Sequence, residues 1–454
     1  MSLRRAVSPQ AWLELSALVR LAGPVILARV GIMVMGLTDA VVVGRFSTQE
    51  LAFHALGWAP TMLVLTTGVG LLAGVQVKTA QRIGQGRRED TGAVLRGGLV
   101  YAFWIGIGST VALLALGPAF LGAIGLEAEL ARGAGEALRV FAFSMTPYLL
   151  SVALSLWLEG LSRPKAGMVF MWVANGLNLG LDLLLVPGAL GLPAMGAVGA
   201  GWATFLARTA LLAMLAVYVW RMAEGRSLGL FRKPPREPEE AREQRRIGYG
   251  AGASQFVEAG AFAGMNVVAG WLGSVETAAW AIVLNVTAII FMVPLGLSAA
   301  AGVLVGRAWG AGDAAGMRQA AELSFLVTAA LTLAVALVVW PAAPLIAAAY
   351  TGDPALAALA TTGLLLAPLF FVPDGLQVVV AQVLRARDDV LTPTLTHVLS
   401  YAGVMLPLGW ALAHPAGLGL VGVMWAVVIA SFMAAGFLLF RFYLLQRRGR
   451  LTRA

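Results

Sequence analysis

Hydrophobic residues in this chain fall into a dozen long runs, parted by short polar or Gly/Pro-marked breaks. A helix needs about 20 apolar residues to cross the hydrocarbon core of a bilayer. The runs lie near 17–43, 52–75, 97–122, 136–160, 166–187, 195–221, 247–272, 277–303, 319–342, 357–384, 392–413 and 419–443. Each predicts a membrane-spanning helix. The first run is too long for a signal-peptide core and has no small-residue cleavage site behind it, so it counts as span 1. Ahead of it, Ser8 and Pro9 read as N-cap and first residue of a short amphipathic lead-in helix carrying Trp12.

Composition agrees with the runs. Of 454 residues 59% are hydrophobic and 12% charged, with a mean hydropathy of +0.83, against about 25% charged in an ordinary soluble domain. The fold class expected is an all-α polytopic membrane protein of about twelve helices. The net charge of +9 would suit nucleic acid only if the basic residues gathered on one folded face. Instead they alternate with the spans. Of the 32 Lys and Arg, Arg29 and Arg208 lie inside spans, Arg45, Arg132 and Arg139 fall on one side, and the rest belong to the other. The positive-inside rule then puts both termini in the cytoplasm of a cell whose inner membrane holds the chain, and an even number of spans satisfies that arrangement. Nucleic acid is not an expected partner; membrane lipid is. With no cysteine, disulfide and thiolate chemistry are excluded.

The second half repeats the first. A shift of 226 residues lays Gly70, Gly84 and Gly86 on Gly296, Gly310 and Gly312, and Glu50 on Glu276; a shift of 223 lays Gly196, Gly199 and Trp202 on Gly419, Gly422 and Trp425. The division expected is an N-lobe over 1–221, a charged cytoplasmic linker over 222–246 containing Lys233, Pro234 and Pro235, and a C-lobe over 247–454. Six spans per copy insert both copies the same way up, a plan common in transporters. Pro24, Pro294, Pro368, Pro373 and Pro407 stand within spans as kink candidates, Pro24 foremost.

Four acids interrupt the apolar runs: Asp39 in span 1, Asp182 in span 5, Glu258 in span 7 and Asp374 in span 10. A carboxylate at the centre of a span costs about 2.5 to 3.5 kcal/mol on insertion scales, so each is a functional candidate. Asn178 lies four residues before Asp182 and Gln377 three after Asp374, placing each amide on the helix face of its acid. Asn285 is a further supporting polar residue. The alternative is that the acids are structural, paired with amides or with Arg29 or Arg208, but four acids outnumber those two cations. Burial favours the neutral acid, which can exchange its proton for a metal or organic cation. Met33, Phe256, Phe262, Met265, Phe291 and Phe370 are candidates to line a site for flat organic cations. Glu159 is explained by contact with Arg163, and Asp388 and Asp389 by the loop they share with Arg387. His54, His397 and His414 show no metal-ligand spacing.

Long stretches resemble the MATE (multidrug and toxic compound extrusion) transporters, and within them the bacterial NorM branch: LAGPVILARVGIMVMGLTDAVVVGR from Leu21, EGLSRPK from Glu159, MGAVGAGWAT from Met195, FMVPLGLSAAAGVLVGRAWGAGD from Phe291 and PDGLQVVVAQVLRARDD from Pro373. The resemblance implies two six-helix lobes around a central cavity and export of organic cations in exchange for Na⁺ or H⁺. The branch's coupling carboxylates carry over to Asp39, Glu258 and Asp374, and its aromatics near the C-lobe ion site to Phe291 and Phe370. Na⁺, if it is the coupling ion, would sit at Glu258 and Asp374 or at Asp39 and Asp182. Asp182 departs from the branch, which usually has Asn there, and is similar to archaeal and DinF-type relatives with two N-lobe aspartates. Trp280 and Ala281 replace the usual His-Gln.

The function expected is antiport by alternating access, by a monomer that needs no cofactor beyond the coupling ion. A major-facilitator exporter is the nearest alternative, but KTAQRIGQGRR lacks the Asp of that family's loop signature. A flippase of lipid-linked precursors would want a cationic interior. An enzyme is not expected, since no catalytic constellation such as HExxH or GxSxG is present.

Overall fold

The computed structural model describes residues 9–123, 127–232 and 238–451, without the side chains of 9–14, 238 and 448–451. Ser8 and Lys233–Pro235 lie outside that set. Among the described residues there is no strand. Span 1 is α1 (Pro9–Phe46), one continuous helix, so the separate lead-in helix expected before it is instead the first turns of the span. α2 (Thr48–Leu71) and α3 (Ala73–Gly84) form span 2, broken at Leu72; α4 (Thr91–Ala123) is span 3; α5 (Ala128–Phe143) and α6 (Met145–Gly160) form span 4, broken at Ser144; α7 (Lys165–Leu185) and α8 (Gly196–Trp220) are spans 5 and 6. Span 7 is α9 (Pro238–Gly270), followed by α10 (Ser274–Gly310) and α11 (Ala314–Tyr350). α12 (Pro354–Leu366) and α13 (Pro368–Ala386) meet at Ala367 in span 10. Span 11 joins α14 (Leu391–His397) to α15 (Leu406–Ala413) through a π-helical stretch, Val398–Met405, and α16 (Gly419–Leu451) ends the chain.

Among the described residues eleven helical segments are long and apolar enough to cross a membrane. The twelfth, α9, falls short because Glu258, Gln255 and a run of glycines dilute its apolar face. The proline candidates behave in two ways. The α12–α13 break falls just before Pro368 and the π-helical turns just before Pro407, whose ring removes a backbone donor and crowds the carbonyl four residues back. Helices α1, α10 and α13 run on through Pro24, Pro294 and Pro373.

Packing divides the chain into two units, Leu27–Gly252 and Met1–Ile26 with Ala253–Ala454, called here the N-lobe and the C-lobe. The partition runs through α1 and α9, whereas the sequence reading cuts at 222–246. Part of that expected linker is already helix: residues 238–246 are the first turns of α9, with Glu239 and Glu240 at its positive end. They are held to α3 by Lys78 on Glu243 at 2.7 Å and Arg82 on Glu240 at 2.6 Å. Gly229 and Leu230 dock on the N-lobe too, where Arg96 donates to both of their carbonyls.

In the N-lobe α6 is the buried centre, its Leu149, Trp157 and Leu158 fully enclosed by α2, α4 and α8; Trp157 donates its indole N–H to the Thr91 carbonyl at 2.9 Å. In the C-lobe α13 takes that role against α10, α11 and α16. The repeat is legible in the backbone. Gly86 and Gly312 have φ of 76° and 69°, Ser162 and Asp388 62° and 65°, and Gly196 and Gly419 52° and 54°. A left-handed turn at a non-glycine residue is uncommon, and here it recurs 226 residues on. Close helix approaches repeat as well: Gly70 leaves no room for a Cβ against Gly252, and its counterpart Gly296 leaves none against Ile26.

Candidate functional site

The acids expected at the site are buried, each among its own lobe's helices. In the N-lobe, Asp39 (α1) is 1% exposed and Asp182 (α7) fully buried. The Thr204 hydroxyl, from α8, donates to Asp39 Oδ2 at 2.6 Å, and His54 Nε2 from α2 stands 4.0 Å from the same oxygen. His54 is walled by Phe141 and Trp58. Asp182 lies close enough to Asp39 for the two carboxyl groups to act on one another electrostatically. Both oxygens of Asp182, Asp39 Oδ1 and both amide atoms of Asn178 have no hydrogen-bonding partner. The Asn178–Asp182 bond expected from their spacing is therefore not made. The two side chains are short against the roughly 5–6 Å between Cβ atoms one turn apart, and Asp182 turns to Asp39 instead.

In the C-lobe, Glu258 (α9) and Asp374 (α13) are each 8% exposed and face one another electrostatically. Gln377 Nε2 donates to Glu258 Oε1 at 3.2 Å, from a position one turn beyond Asp374 on α13. The Tyr401 hydroxyl, from the π-helical stretch, donates to Asp374 Oδ1 at 3.3 Å, while the buried Ser431 hydroxyl of α16, close by, makes no hydrogen bond. Among the described residues no Lys or Arg comes within ion-pair distance of any of the four acids. Arg29 pairs with Glu159 at 3.7 Å and leaves Asp39 alone.

Other expected positions are dispersed. Asn285 is exposed and accepts from the Tyr350 hydroxyl at 3.0 Å, apart from the acids. Met265 and Phe370 are enclosed in the C-lobe core, Met265 at 0% exposure against Gly409, so they fill the lobe and do not line an opening. Phe256 is 53% exposed, while Met33, Phe262 and Phe291 are half-buried, Phe262 lying 6.2 Å from the Tyr401 ring. Glu159 is not held by Arg163, which goes to Glu224 at 2.6 Å; it accepts from Gln76 at 2.6 Å. Asp389 takes Arg441 and Thr392, and Asp388 the Trp309 indole, rather than Arg387.

The two acid pairs occupy different places in the repeat. The N-lobe residues Asp39 and His54 have Met265 and Trp280 at 226 residues on, and Thr204 has Val427 at 223; all three are buried apolar core of the C-lobe. Conversely Asp374 and Tyr401 answer to Tyr148 and Asn175 of the N-lobe. Trp280, which stands where the branch usually has His, is thus the apolar counterpart of His54.

Two halves of one layout, each with a buried acid pair, make a polytopic helical protein built from two repeated units. A family profile for MatE matches residues 24–184 and again 251–411, once per repeat. The chain belongs to the MATE family of multidrug and toxic compound extrusion transporters, in its NorM-like branch. It is 56% identical over 437 residues, 96% of this chain and 93% of the other, to the probable multidrug resistance protein NorM of Caulobacter vibrioides. With the multidrug resistance protein PmpM of Pseudomonas aeruginosa it shares 32% over 415 residues, 88% of this chain and 84% of that one. Among solved structures it is similar to the eukaryotic MATE transporter AtDTX14, TM-score 0.89 at 18% identity, covering 97% of this chain and 99% of that one. It is also similar to a MATE in the bent conformation, TM-score 0.86 at 22% identity over 96% and 97% of the two chains.

Proposed function

We propose that the protein is a secondary active antiporter of the cytoplasmic membrane, working as a monomer with both termini inside the cell. It exports small organic cations in exchange for a coupling cation by alternating access. The observation that carries this reading is the pair of acids in each lobe, buried in membrane-spanning helices without a lysine or arginine in contact. Buried carboxylates without a bound cation are costly. In one state an organic cation supplies the missing charge; in the other the coupling ion takes its place and the substrate leaves. The NorM and PmpM relatives named for multidrug resistance support the same assignment.

For the coupling ion at the N-lobe we propose H⁺. Two buried carboxyl groups near one another, Asp39 and Asp182, are suited to share one proton, and neither Asp182 oxygen has a hydrogen-bond donor. The C-lobe pair, with Tyr401, Gln377 and Ser431 offering oxygen atoms, is the position at which Na⁺ would be carried as cargo. A cation entering down the membrane potential yields about 2.3 kcal/mol per 100 mV.

Efflux of ethidium from proteoliposomes, driven first by an imposed pH gradient and then by an imposed Na⁺ gradient, tests the reading. Asp39→Asn should abolish the pH-driven component and Glu258→Gln the coupled component of the C-lobe, both with normal membrane insertion. Full coupled efflux by a variant neutral at Asp39, Asp182, Glu258 and Asp374 would sink it.

A further inference from the structure

Each lobe buries one arginine that the exchange reading leaves unused. Arg208 in α8 is 2% exposed and Arg385 in α13 is 5% exposed. Arg208 stands one helical turn beyond Thr204, the residue that donates to Asp39. Its Nη1 donates to the Ser144 hydroxyl at 2.8 Å, and its guanidinium lies over Tyr148 at 4.5 Å and Trp58 at 5.4 Å. Arg385 Nη2 donates to the Ser254 hydroxyl at 2.7 Å, and Ser254 stands one turn before Glu258. Asp39 acts electrostatically on Arg208 and Glu258 on Arg385, yet neither arginine reaches its acid in an ion pair, and the Nε of each has no hydrogen-bond partner. The remaining charged or titratable neighbours are accounted for. Arg29 is paired with Glu159; His54 lies beside Asp39; Tyr148 faces Arg208; His397 lies edge-on to Tyr401 on the Arg385 side.

The two arginines are not repeat counterparts. The residue 223 on from Arg208 is Ser431, a buried hydroxyl near Asp374, and the residue 226 before Arg385 is Glu159. Two acids with one arginine have thus been assembled twice, from different positions. Inheritance from one ancestral copy does not account for that coincidence, but a shared requirement on the charge of the site does.

We propose that Arg208 and Arg385 are internal counter-cations, each permanently balancing one acid of its lobe and leaving one exchangeable positive charge per lobe. This rests on the exchange reading above and adds its stoichiometry. With both acids ionised a lobe carries one net negative charge, which one proton, one Na⁺ or one organic monocation cancels. A direct salt bridge would lock an acid, because breaking a buried pair leaves a bare charge. An arginine held a turn away by a serine lowers the cost of the acids while leaving their oxygens open to cargo. The substrate class that fits is a monovalent organic cation per lobe.

In proteoliposomes holding the full chain, the combination of imposed voltage and pH gradient that halts net ethidium flux gives the counter-charge exchanged per dye. Arg208→Lys and Arg385→Lys should keep the wild-type ratio, whereas Arg208→Gln should raise it by one charge. A charge-compensated pair guards against a variant that fails to insert. Asp182→Asn alone leaves the N-lobe neutral without cargo, so coupled efflux should fall roughly tenfold or more, and adding Arg208→Gln should restore it. An unchanged ratio in Arg208→Gln overturns the proposal, as does a double variant that gives no recovery for whatever reason. Failure of the underlying exchange reading shows differently, as full coupled efflux in Asp39→Asn and Glu258→Gln.

Discussion

At the scale of single residues, the acids were legible in the sequence because a charge inside an apolar run is rare enough to mark itself. The hydroxyls around them were not. Thr204, Tyr401 and Ser431 look like any of the many hydroxyl residues in these spans, and nothing in periodicity says which helix face meets which neighbour. His54 was visible but gave no metal-ligand spacing, so its approach to Asp39 was missed; that approach depends on α1 and α2 lying side by side. Nor was the burial of Arg385 legible, since it stands where span 10 gives way to a charged run and yet is 5% exposed. Thr204→Val, nearly isosteric, removes the 2.6 Å bond to Asp39. It should cost about 1 kcal/mol, seen as a lower melting temperature in detergent, and slow pH-driven ethidium efflux while Na⁺-driven efflux is spared. Loss of both components alike would mean that Thr204 acts on the whole molecule and not on the N-lobe acids.

At the scale of elements, nearly every span was readable from its apolar run, while the interruptions were not. The breaks at Leu72 and Ser144 carry no proline at the break itself, and the π-helical turns before Pro407 depend on how α14 and α15 pack on α16. The start of α9 was read as linker because Arg, Glu and Gln dominate it, yet those residues are good helix formers, and α3 gives them partners. That contact allows a comparison of forces. Gly74 of α3 faces the backbone of Gln244 with no space for a Cβ, whereas Arg87, paired with Asp90 just beyond α3, is 46% exposed. Gly74→Ala should therefore destabilise by about 1–3 kcal/mol through overpacking, and Arg87→Ala by well under about 1 kcal/mol. Thermal denaturation of the two variants in one detergent checks the order, and a larger loss for Arg87→Ala would refute it.

At the scale of the whole molecule, the sequence announced the repeat but not where each copy packs. Units drawn by packing change over after Ile26 in α1 and after Gly252 in α9, two residues separated by the same shift that relates the glycines and the left-handed turns. Each copy thus sends the opening part of its first helix into the other copy's unit. Cutting the chain within 233–237 should yield two fragments that are each incomplete. Expressed singly, neither should export ethidium; expressed together, they should regain export, and activity from either fragment alone would contradict the exchange. A single six-span copy packed in this way leaves its own opening arm unhoused, and two such copies trading arms complete both folds.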